Sequence, residues 1–337
     1  MQTRQLGQSD LHISPLGFGT WASGGGNWEY GWGAQDDRDS VAAIAAAAEA
    51  GINWIDTAAA YGLGHAETVV GRALRTLPAE RRPYVFTKGS LVWDAQGRIS
   101  HSLDPASLSR EIDDSLRRLK VNAIDLYQIH WPAFPPGAPE QSIEAAIAAL
   151  AEAHRAGKIR HIGVSNFDAA QMERARSVAP IASLQPPYSL LMRGIEESIL
   201  PYTAAHGIGN IVYSPLQSGL LSGRMTRERI AALPADDWRA QRSPEFQEPN
   251  LTRNLALVEV LRGVGARHGR TPAEVAIAWT LRNPVVTGAI VGVRRPDQLE
   301  GLLGAASLKL TDADLAEIDA ALPETTASPV PQSLVNA

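Results

Sequence analysis

Four side chains of this 337-residue chain could together reduce a carbonyl: Asp56, Tyr61, Lys88 and His130. Asp56 lies at the end of the run Asn53–Thr57, Lys88 ends Tyr84–Lys88 and His130 ends Ile124–His130, while Tyr61 sits in the loop just after Asp56. A carbonyl that accepts hydride gains negative charge on oxygen and needs a proton. A phenol, with an ordinary pKa of about 10, keeps its proton at neutral pH. An ammonium beside it favours the phenolate and lowers that value. Lys88 is therefore expected to tune Tyr61 toward working pH, with Asp56 holding Lys88 charged and oriented. An N–H of His130, at Nε2, can donate to the carbonyl oxygen and fix its position. None of these roles needs a metal. Taken singly, each residue has a plainer reading: a helix cap, a packed ring, a solvated charge, a core histidine. Their coincidence at neighbouring strand ends is what points to chemistry.

The elements that must position them are legible as an alternation of short β-branched runs and Ala/Leu-rich amphipathic segments, the pattern of repeated βα units. Eight strands are expected: Leu16–Thr20, Asn53–Thr57, Tyr84–Lys88, Ile124–His130, His161–Ser165, Ile181–Gln185, Ile211–Ser214 and Ala289–Val291. Helices are expected at Asp37–Ala50, Ala66–Leu74, Pro105–Leu119, Ser142–Ala156, Asp168–Val178, Glu196–His206, Leu251–His268, Pro272–Arg282 and Pro296–Ala305. Asp104-Pro105 supplies a capping side chain before a first-turn proline. Thr271 and Glu274 have capping-box spacing, and Asp168 can cap the helix after it. Thr3–Leu6 and Leu11–Ser14 flank Gly7–Asp10 as a hairpin that caps one end.

Eight strands can close a sheet and abolish its edges. An open doubly wound sheet would show the same alternation, but Gly17-Phe18-Gly19-Thr20-Trp21 lacks the third glycine of a dinucleotide turn. The expected fold is an α/β (β/α)8 TIM barrel, one domain over residues 1–337, with a hairpin cap (1–15), long mouth loops and a mobile tail (323–337). The loops Trp21–Gln35, Leu91–Ser102, Trp131–Gln141 and Leu216–Asn250 would frame the mouth, and loops that long are usually functional. They bring Trp21, Trp28, Trp32, Trp93 and Trp131 near it, with Trp21 and Trp131 the expected substrate walls.

Composition narrows the field. A net charge of -5 without a Lys/Arg cluster argues against nucleic acid. The chain has no cysteine, which removes disulfides, thiolate nucleophiles and Cys-based zinc sites. Its eight histidines show no ligand-type spacing, so no metal is expected. No apolar run has the form of a signal peptide or membrane span, and a cytoplasmic protein without a membrane partner is the expectation. Oligomeric state is not readable.

The motifs fit a known family. Asp56-Thr57-Ala58-Ala59-Ala60-Tyr61-Gly62 resembles the Asp-Thr-Ala-x-x-Tyr-Gly signature of aldo-keto reductases, and Gly157–Phe167 resembles their second signature. Gln185-x-x-Tyr188-Ser189, Tyr213-Ser214-Pro215-Leu216 and Gly292-x-Arg294 resemble later ones, in order, from about Arg4 to Leu322. The resemblance implies that Tyr61 is the general acid–base, Asp56 and Lys88 its tuning pair, and His130 the carbonyl-orienting donor. It implies a nicotinamide dinucleotide near Gly19, Thr20 and Trp21, its carboxamide held by Ser165, Asn166 and Gln185 and its ring stacked on Tyr213. Ser214, Leu216 and Gly219 would cradle the pyrophosphate, a common duty of loops after the seventh and eighth barrel strands. Gly292, Arg294 and Gln298 would meet the adenosine end.

The family's late Glu-Asn pair is replaced by Gly301 and Leu302. The phosphate preference then rests on Arg294, with Arg295 beside it, and favours NADP, with NAD as the alternative. The substrate would be a small carbonyl or alcohol. Two other functions are compatible with the pattern: a cofactor-binding regulatory subunit with little turnover, and a Schiff-base aldolase using Lys88.

Overall fold

The computed structural model describes residues 1–26, 28–234, 237, 239 and 243–322. The tail expected to be mobile lies outside the described residues. Eight parallel strands close into a barrel in the order β3 (Leu16–Gly19), β4 (Trp54–Asp56), β5 (Tyr84–Gly89), β8 (Ile124–Ile129), β9 (Ile159–Ser165), β10 (Ser183–Gln185), β11 (Gly209–Val212) and β12 (Val286–Val291), with β12 returning to β3. All eight are the expected strands, with ends moved by one to three residues. Each parallel pair needs a crossover, and helices supply it.

The hairpin is β1 (Arg4–Gln5) and β2 (His12–Ile13), antiparallel. It closes the end of the barrel where the strands begin: Arg4 Nη1 donates to the Val286 carbonyl at 2.8 Å. Leu6, Leu11 and Ile13 pack there with Trp54, Phe86, Leu126, Ile211 and Ile290. The lower interior is therefore a packed core, not a pore. Gly17 is required by that packing, because a Cβ there would lie 2.2 Å from the Trp54 ring. A second, larger core lies between the strands and the surrounding helices.

The helices start where the sequence says they should. Asp104 accepts from Ser107 N, and Thr271 forms a capping box with Glu274. Asp168 caps its helix through a box with Gln171. Two expectations need correction. The stretch Leu91–Ser102 is not a plain loop. It holds an antiparallel hairpin of β6 (Leu91–Trp93) and β7 (Ile99–His101), turned by Asp94, whose carboxylate accepts from the amides of Gln96 and Arg98. The helix expected over Pro296–Ala305 is broken into 3-10 turns at Pro296–Gln298 and Gly304–Ala306 around one helical turn, Glu300–Leu303. Gln298 folds back there and accepts from the amides of Arg294 and Arg295, which caps the start of the first turn. Among the described residues, no helix is long and apolar enough to cross a membrane.

Candidate active site

The strand register brings the four candidate residues together. Asp56 pairs with Gly19 on one side and Phe86 on the other, and Lys88 pairs with Gln128. Past the strand ends the ladder continues: Thr57 N donates to Phe86 O, Ala59 N to Lys88 O and His130 N to Gly89 O. The loop backbone thus inherits the precision of the sheet. Tyr61 is turned inward by a tight bend in which its amide reaches the Ala58 carbonyl. Gly62 makes that bend possible. Its φ is +59°, and a Cβ would lie 2.1 Å from the Gly24 carbonyl.

Lys88 is the hub. Its Nζ donates to Asp56 Oδ2 at 2.6 Å, to the Thr57 carbonyl at 2.9 Å and to Tyr61 Oη at 3.2 Å. Lys88 and Asp56 are both buried. The other Asp56 oxygen accepts from Gln185 Nε2 at 2.8 Å and lies 3.5 Å from Gln128 Nε2. A buried ion pair is stable only when its remaining valences are filled, and the two glutamines and the Thr57 carbonyl fill them. The His130 ring stands edge-on to Tyr61, with ring centres 5.9 Å apart. Its Nδ1 is buried with no hydrogen-bond partner among the described residues.

The electrostatics differ from expectation at one point. Lys88 does not draw the phenol down. Burial, reinforced by the Asp56 carboxylate, holds Tyr61 well above its ordinary range. Burial also lowers Lys88, against the pull of Asp56. The Asp56 charge offsets the Lys88 charge at the phenol, so desolvation decides the sign. Burial, then the charge of Lys88, pushes His130 well below the usual histidine value. The resting site holds a neutral imidazole and a protonated phenol beside an ion pair.

Asp56, Tyr61 and His130 line a cleft of about 590 Å³, with Lys88 buried behind them. One lobe is aromatic, lined by Trp21, Trp28, Tyr30, Trp32, Trp131 and Phe134 with Leu91, Ile99 and Met192. Trp21 packs on both Trp28 and Tyr61 at 5.0 Å between ring centres. Trp131 packs on Phe134 at 5.9 Å. The indole N–H groups of Trp21 and Trp28 donate to the Tyr30 and Gly25 carbonyls, so both rings present faces rather than donors. Trp93 lies elsewhere, under Arg118.

The other lobe carries the residues expected to hold a cofactor: Gly19, Thr20, Ser165, Asn166, Gln185, Tyr213, Ser214, Leu216, Gly219, Gly292, Arg294 and Gln298 all line the cleft. Thr20 is fixed by Oγ1 to the Asp56 carbonyl, and Ser165 Oγ donates to the Gln185 carbonyl. Asn166 Nδ2 donates to the His130 carbonyl and to Ser165 Oγ, while its Oδ1 accepts from Tyr213 Oη at 2.8 Å. That last bond orients the Tyr213 ring. Ser214, Gln217, Ser218 and Gly219 all adopt left-handed backbone. These residues form successive tight turns, in which the amides of Gln217, Gly219 and Leu220 donate to the carbonyls of Ser214, Leu216 and Gln217.

Arg294 is tied differently from expectation. Its Nε donates to Gln35 Oε1 at 2.6 Å, Nη1 to the Trp32 carbonyl at 3.5 Å and Nη2 to the Ala34 carbonyl. Arg224, Arg229, Arg239 and Arg262 line the same lobe. Arg239 pairs with Asp237 and Arg262 with Glu259, whereas Arg224 and Arg229 make no ion pair among the described residues. Sequence reasoning missed Gln128, Tyr30, Phe134, Met192 and these four arginines. Only Gln128 carried a readable signal, a polar residue two positions before His130 on one strand and so on the same face.

The Aldo/keto reductase family model matches residues 15–323. The chain is 37% identical over 331 residues to aldo-keto reductase YhdN of Bacillus subtilis (strain 168), covering 98% of this chain and 96% of that one. It is 34% identical to the NADH-specific methylglyoxal reductase of Escherichia coli (strain K12), covering 93% and 96%. Among solved structures, the glycerol dehydrogenase AKR11B4 from Gluconobacter oxydans superposes with a TM-score of 0.84 at 38% identity, covering 97% of each chain.

Proposed function

The chain belongs to the aldo-keto reductase family, and from that premise we propose that it is an NADP-dependent oxidoreductase that reduces small aldehydes, ketones or sugar carbonyls, or oxidises the matching alcohols. The observation that carries this reading is the contact of Lys88 Nζ with both Asp56 and Tyr61 Oη beside a neutral His130, at the floor of one cleft. When bound, the dinucleotide supplies hydride to the carbonyl carbon or takes it from an alcohol.

The residues present suit that cofactor. A run of left-handed backbone faces the cleft after β11, and an arginine-rich lobe lies beyond it. Ser165, Asn166 and Gln185 would meet the carboxamide, Tyr213 the ring face, and Ser214, Leu216 and Gly219 the pyrophosphate. Gly19, Thr20, Trp21, Gly292 and Gln298 would complete the walls.

Tyr61 acts as the acid. Its phenol, kept protonated by burial, donates the proton to the carbonyl oxygen as negative charge gathers there. The phenolate left behind faces the Lys88 ammonium at 3.2 Å, and the charge that was offset at rest is met when it forms. Solvent then returns the proton. Neutral His130 donates its single N–H to the same oxygen and steers it toward Tyr61. The two glutamines on Asp56 keep the pair from drifting.

A preference for NADP is supported by Arg224 and Arg229 more than by Arg294: none of the three makes an ion pair among the described residues, but Arg294 is engaged with backbone and amide oxygens. A carbonyl panel followed by absorbance with NADPH and with NADH tests the assignment. Turnover in the wild type and none in Tyr61→Phe, with NADPH still bound, is the expected result. Undiminished activity in Tyr61→Phe rejects the acid–base role.

A further inference from the structure

The segment between β3 and the helix Asp37–Glu49 carries Trp21, Trp28, Tyr30 and Trp32, four of the six aromatic residues of that lobe. After the 3-10 turn Trp21–Gly24, its described residues contain no regular element before that helix, and it includes Gly25, Gly26, Gly31 and Gly33. Such a chain does not hold bulky rings in place by itself, because glycine leaves the backbone free. Near the tetrad it is held by the approach of Gly24 to Gly62 and by the stacking of Trp21 and Trp28 on Tyr61. The bonds of the Trp21 and Trp28 indoles run within the segment and do not anchor it.

At its far end the segment is fastened to the loop after β12, the strand that neighbours β3 in the barrel. Arg294 Nε donates to Gln35 Oε1 at 2.6 Å, and Gln35 Nε2 donates back to the Arg294 carbonyl at 2.8 Å. The same guanidinium reaches the carbonyls of Trp32 and Ala34. Gln35 Nε2 is further steadied by Ser40 Oγ at 3.1 Å, on the first turn of the helix. A planar guanidinium offering three nitrogens to three residues of one segment fixes orientation as well as distance. Arg239 adds a stacking contact, its guanidinium 5.2 Å from the centre of the Trp32 ring.

We propose that Arg294 and Gln35 form a latch that positions the aromatic wall of the carbonyl pocket from the loop after β12. They are positioning residues, acting on the substrate through Trp28, Tyr30 and Trp32. The substrate part of this inference rests on the reductase reading above; the mechanical part does not.

Chymotrypsin cuts after tryptophan and tyrosine, and mass spectrometry locates cuts after Trp28, Tyr30 or Trp32. In protein without cofactor or substrate, Gln35→Ala should raise cleavage there about tenfold, the effect of losing one charge-assisted bond. Arg294→Ala should do at least the same, and the double variant no more than Arg294→Ala alone, because both changes open one contact. Gln35→Glu keeps an acceptor for Arg294 Nε but loses the donor to the Arg294 carbonyl, and should be cut at a rate between those of wild type and Gln35→Ala. In turnover, Gln35→Ala should raise KM for an apolar aldehyde while the NADPH Kd, read by titration, stays within about twofold. Equal cleavage of wild type and Gln35→Ala overturns the latch. A raised NADPH Kd in Arg294→Ala without any change in cleavage also overturns it, and assigns the guanidinium to a phosphate. The expected cleavage pattern in a wild type that turns over no carbonyl would support the latch and reject the reductase reading.

Discussion

The Asp56–Lys88 pair makes two separable predictions, one for folding and one for turnover. The charges lie 2.6 Å apart and are almost wholly shielded from water. At an effective dielectric of about 20, their attraction is about 6 kcal/mol. Desolvating each ion costs several kcal/mol, so the intact pair is close to neutral against an apolar substitute. Removing one partner is different. Asp56→Asn leaves a buried ammonium without a counter-charge, facing only neutral oxygens such as the Thr57 carbonyl and Tyr61 Oη. Lys88→Met leaves a carboxylate with only glutamine donors. Each single change should cost about 3–5 kcal/mol. The double variant Asp56→Asn/Lys88→Met removes both charges and should recover most of that, a coupling of about 3 kcal/mol or more. Urea unfolding of the protein without cofactor measures it. Carbonyl reduction should not recover: Lys88→Met and the double variant both lack an ammonium facing the phenolate, and both should lose about 10²–10⁴-fold in kcat/KM. Stabilities that add within about 0.5 kcal/mol would refute the pair as a coupled unit. A double variant that regained activity along with stability would show that the ion pair serves only the fold.

Two more outcomes follow from the same site. Arg224→Gln should raise the Kd of NADPH about tenfold relative to that of NADH, measured by titration, because one charge-assisted phosphate contact is lost; equal losses for both would remove Arg224 from the phosphate. His130 is held well below its ordinary pKa by burial, then by the charge of Lys88. The unfolded chain therefore takes up a proton near pH 6.5 that the folded chain refuses, so stability contributed above that pH is lost as pH falls. As pH falls below about 6.5 the wild type should therefore lose stability more steeply than His130→Gln, read by urea unfolding across that range. Parallel stability curves for the two proteins would contradict a neutral buried imidazole.

The sequence disclosed the parts of this molecule that obey a period. Strands and helices follow from alternation and capping, and Asp56, Lys88 and His130 follow because strand ends of a closed barrel share one mouth. Gln128 belongs to the same logic and could have been read from its place two residues before His130. The hairpin Leu91–Trp93/Ile99–His101 was harder, since three-residue strands carry too little alternation to stand out from a loop. What the sequence could not disclose was set by contacts between distant loops. Tyr30 and Phe134 reach one lobe from segments about a hundred residues apart, with ring centres 6.4 Å apart.

Arg294 shows most plainly why residue type underdetermines role. An arginine after the last barrel strand is equally suited to a phosphate and to a set of carbonyl oxygens, since both accept the same planar fork of donors. The choice depends on where residues Trp32–Gln35 come to rest, and a glycine-rich segment encodes no preferred path of its own. Tyr61 makes the same point in electrostatics. The sequence brings Asp56, Lys88 and Tyr61 to one barrel mouth, yet the sign of the phenol's shift is not contained in their charges. Paired at 2.6 Å, the lysine and aspartate offset one another, and the depth of burial, a property of the whole barrel mouth, decides that the phenol keeps its proton.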